Sequence, residues 1–568
     1  MFNKFWHMLW EVHYQTKELF LLFPKYVLYP FHKDHSVLNN IKFESNAGGT
    51  EKAKKVEVKS DESSGGSNYE RRQYIGLFLG PVLFILMLVI PEPYNMTSEA
   101  QKMAAITLIM STWWICESIP IPATSLLPLI LMPLLGITST KHAALPYASD
   151  IIFLYMGGFF IALATQRWGL HRRIAMNIIR IIGFSPKRVI LGFMVATAAI
   201  SAFVSNTATA VMMMPIGLAI ITHVIEEGKK EGIDKEIDFS PGKFNFGLNL
   251  MLGIACAASI GGIATIIGTP PNAILVGYLK ETYNFQITFA KWIIVGVPFA
   301  TVMIPVSWVL LLKLNPLKLK KIPGGKEIIY KELKDMGKMN TGERLTAIVF
   351  FLTGLCWIFI ILIQKIVPYP QFFSDATVAM TGGLLLFILP VSLKKNIFVL
   401  NWEWAKKLPW GVLILFGGGL SMADGIASTK LAEWIGLQVK LLQFAPIVVI
   451  IFLVALFAIA LSEVTSNTAT AAMIIPILSA VAVGTGQNPL LFTVPATIAV
   501  SCPFMLPVAT PPNAIVFGTG YITIPQMVKS GFWRDCIAVV FSVIVTYLCL
   551  IPFFDISLGV MPSWVASK

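Results

Sequence analysis

The side chains that could do chemistry in this chain come in two matched sets. Ser201, Ser205, Asn206 and Thr207 lie in SAFVSNTATAVMMMPI (201–216), and Ser462, Ser466, Asn467 and Thr468 lie 261 residues later in SEVTSNTATAAMIIPI (462–477), with ten of sixteen positions identical. Each copy is followed by a second shared phrase, GTPPNAILVG at 268–277 and ATPPNAIVFG at 509–518. Two different phrases recurring in the same order mark an internal duplication. The paired prolines Pro270–Pro271 and Pro511–Pro512 remove amide donors and break a helix, leaving the carbonyls of Gly268 and Ala509 without intrahelical partners. Bare carbonyls and hydroxyls suit a hard cation. A transition metal would want His or Cys, and Ca2+ would recruit carboxylates, yet the phrases carry none of these except Glu463. Na+ fits better, and proton coupling would need a titratable group that the first copy lacks. Ser, Asn and Thr also cap a helix that starts at the phrase, and such an N-terminus presents free N–H groups and the positive end of the helix dipole to an anion. Small polar residues also serve close helix packing in lipid, but duplication of both phrases weighs against packing alone.

The elements that must position these residues are membrane helices. With 568 residues, 55% hydrophobic and 13% charged, the chain has more apolar side chains than a soluble core needs. The pattern predicts an all-α polytopic membrane protein with eleven crossings, near 74–90, 101–117, 123–137, 150–166, 245–278, 291–312, 345–364, 376–393, 409–424, 488–518 and 535–553. Two further apolar segments, near 189–225 and 445–485, carry the SNT phrases at their centres and read as re-entrant hairpins with the polar tip at membrane depth.

The net charge of +13 does not indicate a nucleic-acid binder, because the basic residues sit between spans rather than on one soluble face. Their bias places the N-terminus in the cytoplasm and the C-terminus outside. The loop after the fourth span carries Arg167, Arg172, Arg173, Arg180, Lys187 and Arg188, whereas its counterpart at 425–444 sets Lys430 and Lys440 against Glu433, with Asp424 just before it. Equivalent loops therefore lie on opposite sides, and the repeats are inverted. Gly157–Gly158 and Gly418–Gly419 keep the 261-residue offset, which extends the duplication back into the preceding span. The expected divisions are a cytoplasmic segment and linker (1–73), a first repeat (74–313), a Lys-rich cytoplasmic linker (314–344) and a second repeat (345–568). Within the first, residues 1–40 read as an interfacial helix and 43–69 as a flexible linker. Inverted repeats broken at matching positions are the pattern of secondary transporters.

Other candidates carry less. The six cysteines show no CxxC spacing and read as packing residues. Glu117 precedes IPIP at a span end, and Glu463 falls on the face opposite Ser462 and Ser466, so both read as structural. No Walker A, GxSxG or HExxH motif is present, and neither ATP-driven pumping nor hydrolysis has support, so the chain reads as a transporter rather than an enzyme.

At the doubled SNT and TPPN phrases, with WWICESIP (113–120), IIFLYMGGF (151–159) and LPWGVLILFGGG (408–419), the sequence resembles the divalent anion:sodium symporter family, most of all its bacterial sodium-coupled dicarboxylate members. The resemblance covers about 74–553. It implies a homodimer whose protomers each move a transport domain against a scaffold as an elevator. It also implies a first sodium site at Ser201, Ser205, Asn206 and Gly268 and a second at Ser462, Ser466, Asn467 and Ala509. Substrate carboxylates map onto Asn206, Thr207, Thr269 and the adjoining Pro270, and onto Asn467, Thr468, Thr510 and Pro511. Ala509 stands where the first copy has Gly268, and Cys116 where the family commonly has Thr. The expected function is sodium-coupled import of a C4 dicarboxylate such as succinate, malate or fumarate. Citrate or sulfate symport, sodium-independent anion exchange, an anion channel and a membrane sensor are the rivals.

Overall fold

The computed structural model describes residues 71–566 apart from 233–236, 241, 320, 323–324 and 439–444. The interfacial helix and linker expected within 1–69 therefore lie outside the described residues. Helices dominate. A two-stranded antiparallel hairpin, Pro390–Ser392 with Ile397–Phe398, is the one sheet among the described residues.

The first half opens with α1 (Arg71–Val89) packed on α2 (Ser98–Cys116), which Thr97 caps by accepting from Ala100 N at 3.2 Å. The helix α1 is apolar yet mostly exposed, as expected where the solvent is lipid. Next come α3 (Asp150–Trp168), the amphipathic α4 (Leu170–Ile182), α5 (Pro186–Ser201), α6 (Asn206–Lys230), α7 (Asn245–Ile263), α8 (Pro270–Tyr283) and α9 (Phe289–Leu314). In the second half α10 (Thr341–Ile358), α11 (Asp375–Ile388), α12 (Trp410–Ser428), α13 (Leu431–Gln438), α14 (Ile447–Ser462), α15 (Asn467–Gly484), α16 (Leu490–Val500), α17 (Pro511–Phe517) and α18 (Ile524–Val545) follow. The core runs through α7 and α16, which are apolar on every side and buried along their whole length.

Nine helical segments among the described residues are long and apolar enough to cross a membrane, and four more apolar helices are shorter. Several expected spans change form. The stretch 245–278 is two helices, α7 and α8, parted by 264–269, and 488–518 is likewise α16 and α17 parted by 501–510. Prolines divide 123–137 into Ile121–Thr124 and Pro128–Leu134. The final span begins not near 535 but at Ile524, because Arg534 and Asp535, which look like a boundary in the sequence, are buried at 1% and 5% exposure. Finally, α6 and α15, read as the second arms of re-entrant hairpins, are each long enough to cross.

Small residues set the closest helix approaches. A Cβ on Gly157 of α3 would fall 2.4 Å from the Ala379 carbonyl of α11. The amphipathic α4 is tied to the segment that opens the second half: Arg173 pairs with Glu343, which is 3% exposed, and donates to the carbonyls of Gly337 (2.9 Å) and Met336 (3.3 Å).

Candidate functional site

The duplicated phrases occupy matching places, each at a turn between two helices. The first SNT phrase joins α5 to α6 and the second joins α14 to α15, with Ser205 and Ser466 at the N-caps of the following helices. Each TPPN phrase starts a helix, and Thr269 (φ −140°, ψ 139°) and Thr510 (φ −141°, ψ 148°) share one extended conformation before the prolines. The halves then cross: α6 packs against α17, and α8 packs against α15. Each SNT helix thus lies beside the TPPN helix of the other half.

The same oxygen cluster is built twice. The buried Ser201 Oγ lies 2.8 Å from Asn206 Oδ1 and 2.6 Å from the Ala258 carbonyl, and the buried Ser462 Oγ lies 2.8 Å from Asn467 Oδ1 and 2.8 Å from the Val500 carbonyl. A hydroxyl has one proton and here faces two acceptors, so each cluster holds more oxygen lone pairs than protons. In the first copy the backbone closes in further. A Cβ on Gly262 would sit 2.4 Å from Asn206 Oδ1 and 3.1 Å from the Gly268 carbonyl, and one on Gly268 would sit 2.4 Å from the Gly262 carbonyl and 3.0 Å from that of Ala202. Glycine is required there by close approach rather than by backbone angle. At the second copy's corresponding positions, Pro503 and Ala509, the stretch is longer and tolerates side chains.

The other expected site residues divide. Asn206 and Asn467 are half-buried, Thr207 and Pro511 are exposed, and Thr468 and Pro270 are half-buried. Ser205 accepts Ala208 N at 3.4 Å and so caps α6, whereas Ser466 makes no such cap. Thr510 accepts Asn513 N at 3.3 Å; Thr269 makes no side-chain cap, and its carbonyl accepts from Tyr155 Oη at 2.9 Å.

A family model described as the sodium:sulfate symporter transmembrane region matches residues 71–554. The chain belongs to this family. It is 44% identical over 495 residues to the sodium-dependent dicarboxylate transporter SdcS of Staphylococcus saprophyticus, covering 86% of this chain and 93% of the relative. It is also 44% identical over 480 residues to SdcS of Staphylococcus aureus, covering 84% and 91%. In fold it resembles the Alcanivorax borkumensis YdaH transporter (TM-score 0.52, 13% identity, 86% of this chain and 99% of that one) and Neisseria gonorrhoeae MtrF (TM-score 0.51, 12% identity, 87% and 97%). Membership makes the chain a multi-pass membrane transporter and not an enzyme.

Three features of this sodium:sulfate symporter relative escape a reading of its sequence. Asn272 and Asn513, the last letters of TPPN, turn back to hold the broken backbone: Asn272 Nδ2 donates to the Thr265 carbonyl at 2.8 Å, and Asn513 Nδ2 to that of Leu506 at 2.9 Å. Their recurrence in both phrases was the available signal. Tyr155 reaches the first break from α3, and nothing in its local sequence announces that. Glu463, read as structural, is 3% exposed and accepts Met505 N at 2.9 Å and Leu506 N at 3.1 Å, so it bears directly on the second break.

Proposed function

We propose that the chain is a sodium-coupled symporter that imports C4 dicarboxylates such as succinate, malate and fumarate. The observation that carries the cation part is the twice-built cluster of Ser201, Asn206 and the Ala258 carbonyl, and of Ser462, Asn467 and the Val500 carbonyl, in which oxygens outnumber protons. Such a cluster offers a hard cation what its hydration shell would, with no His or Cys to favour a transition metal. Ser205 and Gly268, with Ser466 and Ala509, are proposed to complete the two sodium sites. The bound ions then supply the positive charge that a dianion needs, since no Lys or Arg stands in the four phrases.

Asn206, Thr207, Thr269 and Pro270 from one half, with Asn467, Thr468, Thr510 and Pro511 from the other, are proposed to receive the carboxylates beside the N-termini of α6, α8 and α15. Free amides and the helix dipole favour an anion at such ends. The relatives' printed name, sodium-dependent dicarboxylate transporter, supports this substrate class over the sulfate in the family's description. The crossed packing of α6 on α17 and α8 on α15 supports a transport unit built from both halves, moving as an elevator against a scaffold that includes α3, α11 and α12 in a homodimer. The inverted-repeat divisions 74–313 and 345–568 and the cytoplasmic N-terminus belong to the same reading.

The test is uptake of labelled succinate into proteoliposomes under an inward Na+ gradient, with choline as the replacement cation. Accumulation above the external concentration that collapses in choline is expected, with competition by malate and fumarate exceeding that by citrate or sulfate. Equal uptake in choline would leave an exchanger or channel, and stronger competition by sulfate would overturn the substrate class.

A further inference from the structure

The two copies are not built alike around their breaks. In the first, α7 stays helical to Ile263; in the second, α16 ends at Val500, although Phe504 is the residue in register with Ile263 at the 241-residue offset of the TPPN phrases. The second break therefore strips more backbone amides of helical partners inside the membrane, and each needs an acceptor. Two buried carboxylates supply them. Glu463 takes Met505 N at 2.9 Å and Leu506 N at 3.1 Å, one on each oxygen, and Asp535 of α18 takes Phe504 N at 3.2 Å. Arg534, 1% exposed, holds its guanidinium 5.2 Å from the Phe504 ring centre. The first copy has Ala202 in register with Glu463, and there the Thr265 hydroxyl donates to the Ala202 carbonyl while Ala264 N finds the Gly261 carbonyl at 3.1 Å. The same join between SNT turn and broken helix is uncharged in one half and made by a carboxylate in the other.

We propose that Glu463, assisted by Asp535, is the positioning residue of the second cation site and makes that site the tighter of the two. Together the two carboxyls hold three successive residues of the break, Glu463 taking Met505 and Leu506 and Asp535 taking Phe504, so the carbonyls of Pro503 and Leu506 that Asn513 grips stay fixed. Glu463 also places a carboxylate one residue from a proposed sodium ligand, in a low-dielectric interior where a cation gains most from it. The first copy has Ala202 at the matching position and no carboxyl there. This rests on the reading of the SNT clusters as sodium sites.

The experiment is Na+-dependent thermal stabilisation of the purified full-length protein without succinate, at constant ionic strength with choline. It compares Ser201→Ala, which leaves the second site, with Ser462→Ala, which leaves the first. The Na+ midpoint of Ser201→Ala should be the lower one. Adding Glu463→Gln should raise it about tenfold, a loss of about 1.4 kcal/mol, while the same change in Ser462→Ala should leave the midpoint within about twofold. Asp535→Asn should reproduce the pattern with a smaller shift. Equal shifts in both backgrounds, or none in either, would overturn the proposal. A measurement on the parent protein stands independent of any variant's folding: the amides of 504–506 should exchange slowly with deuterium in Na+-free buffer, and fast exchange there would also overturn it. If Na+ fails to stabilise even the parent, the sodium reading fails instead.

Discussion

Tyr155 of α3 and Phe416 of α12 stand 261 positions apart in sequence and meet edge to face, their ring centres 5.0 Å apart. They are one position in two copies of the duplication, so the related spans touch through equivalent residues. They are not equal in chemistry. Tyr155 donates its hydroxyl to the Thr269 carbonyl at 2.9 Å and reaches that of Ile266, while Phe416 has no hydroxyl to offer the second half. The first break is thus tied to α3, a helix outside the two crossed pairs.

Tyr155→Phe keeps the ring contact and removes the donor. The buried carbonyls then lose a partner, at a cost of about 1 kcal/mol in stability. Because those carbonyls adjoin Gly268, the Na+ concentration for half-maximal uptake should rise about threefold, with the apparent succinate affinity falling in step. Melting and Na+ activation curves on the same preparation check both effects. A stability loss with an unmoved activation curve would confine Tyr155 to packing.

Asn206→Ala and Asn467→Ala should each abolish coupled uptake in protein that inserts and melts like the parent. Each asparagine oxygen faces a serine hydroxyl at 2.8 Å in its own cluster. Removing one dismantles a cation site and, in the proposed reading, a carboxylate contact. Normal uptake by either variant would show that the clusters are structural.

The duplication, the breaks and the serine and asparagine side chains of the clusters were legible in the sequence because Ser, Asn, Gly and paired Pro inside apolar runs have few other reasons to recur in order, whereas the Ala258 and Val500 carbonyls that face the serines were not. What could not be read was how far each break extends. Residues 501–506 contain a single proline, Pro503, and their unwinding depends on acceptors supplied from Glu463 and Asp535, residues distant in sequence. For the same reason charge marked a false boundary: Arg534 and Asp535 looked like the edge of a span, yet their polar partners lie inside the protein. Length alone does not separate two readings of α6 and α15, whose apolar runs suit either a hairpin arm or a crossing.

The tie between α4 and the start of the second half invites a stability prediction. Glu343 accepts Arg173 Nη2 at 3.1 Å and is nearly inaccessible, so removing the arginine leaves a buried carboxylate unpaired. Arg173→Ala should cost about 3 kcal/mol, the range for breaking a buried pair. Since neither residue lies in the SNT or TPPN phrases, surviving protein should keep the parent's Na+ and succinate dependence. A melting scan beside an uptake curve separates the two, and a changed Na+ dependence would show that α4 participates in coupling.

The glycines of the first break give the sharpest contrast. At Gly262 an added methyl would lie 2.4 Å from Asn206 Oδ1, a distance no real Cβ contact tolerates, and the obstructed atom is a proposed sodium ligand that faces the Ser201 hydroxyl at 2.8 Å. Gly354, within α10, has nothing within 4 Å of its added methyl. Gly354→Ala should therefore be neutral or stabilising by up to about 1 kcal/mol, the helix-propensity gain. Gly262→Ala lies near the end of α7 and would gain at most the same, but it must push Asn206 away from Ser201 and should lose nearly all Na+-dependent uptake. If Gly262→Ala transports like Gly354→Ala, the close approach of Gly262, Gly268 and Asn206 is not the cation site, whatever the oxygen count around it.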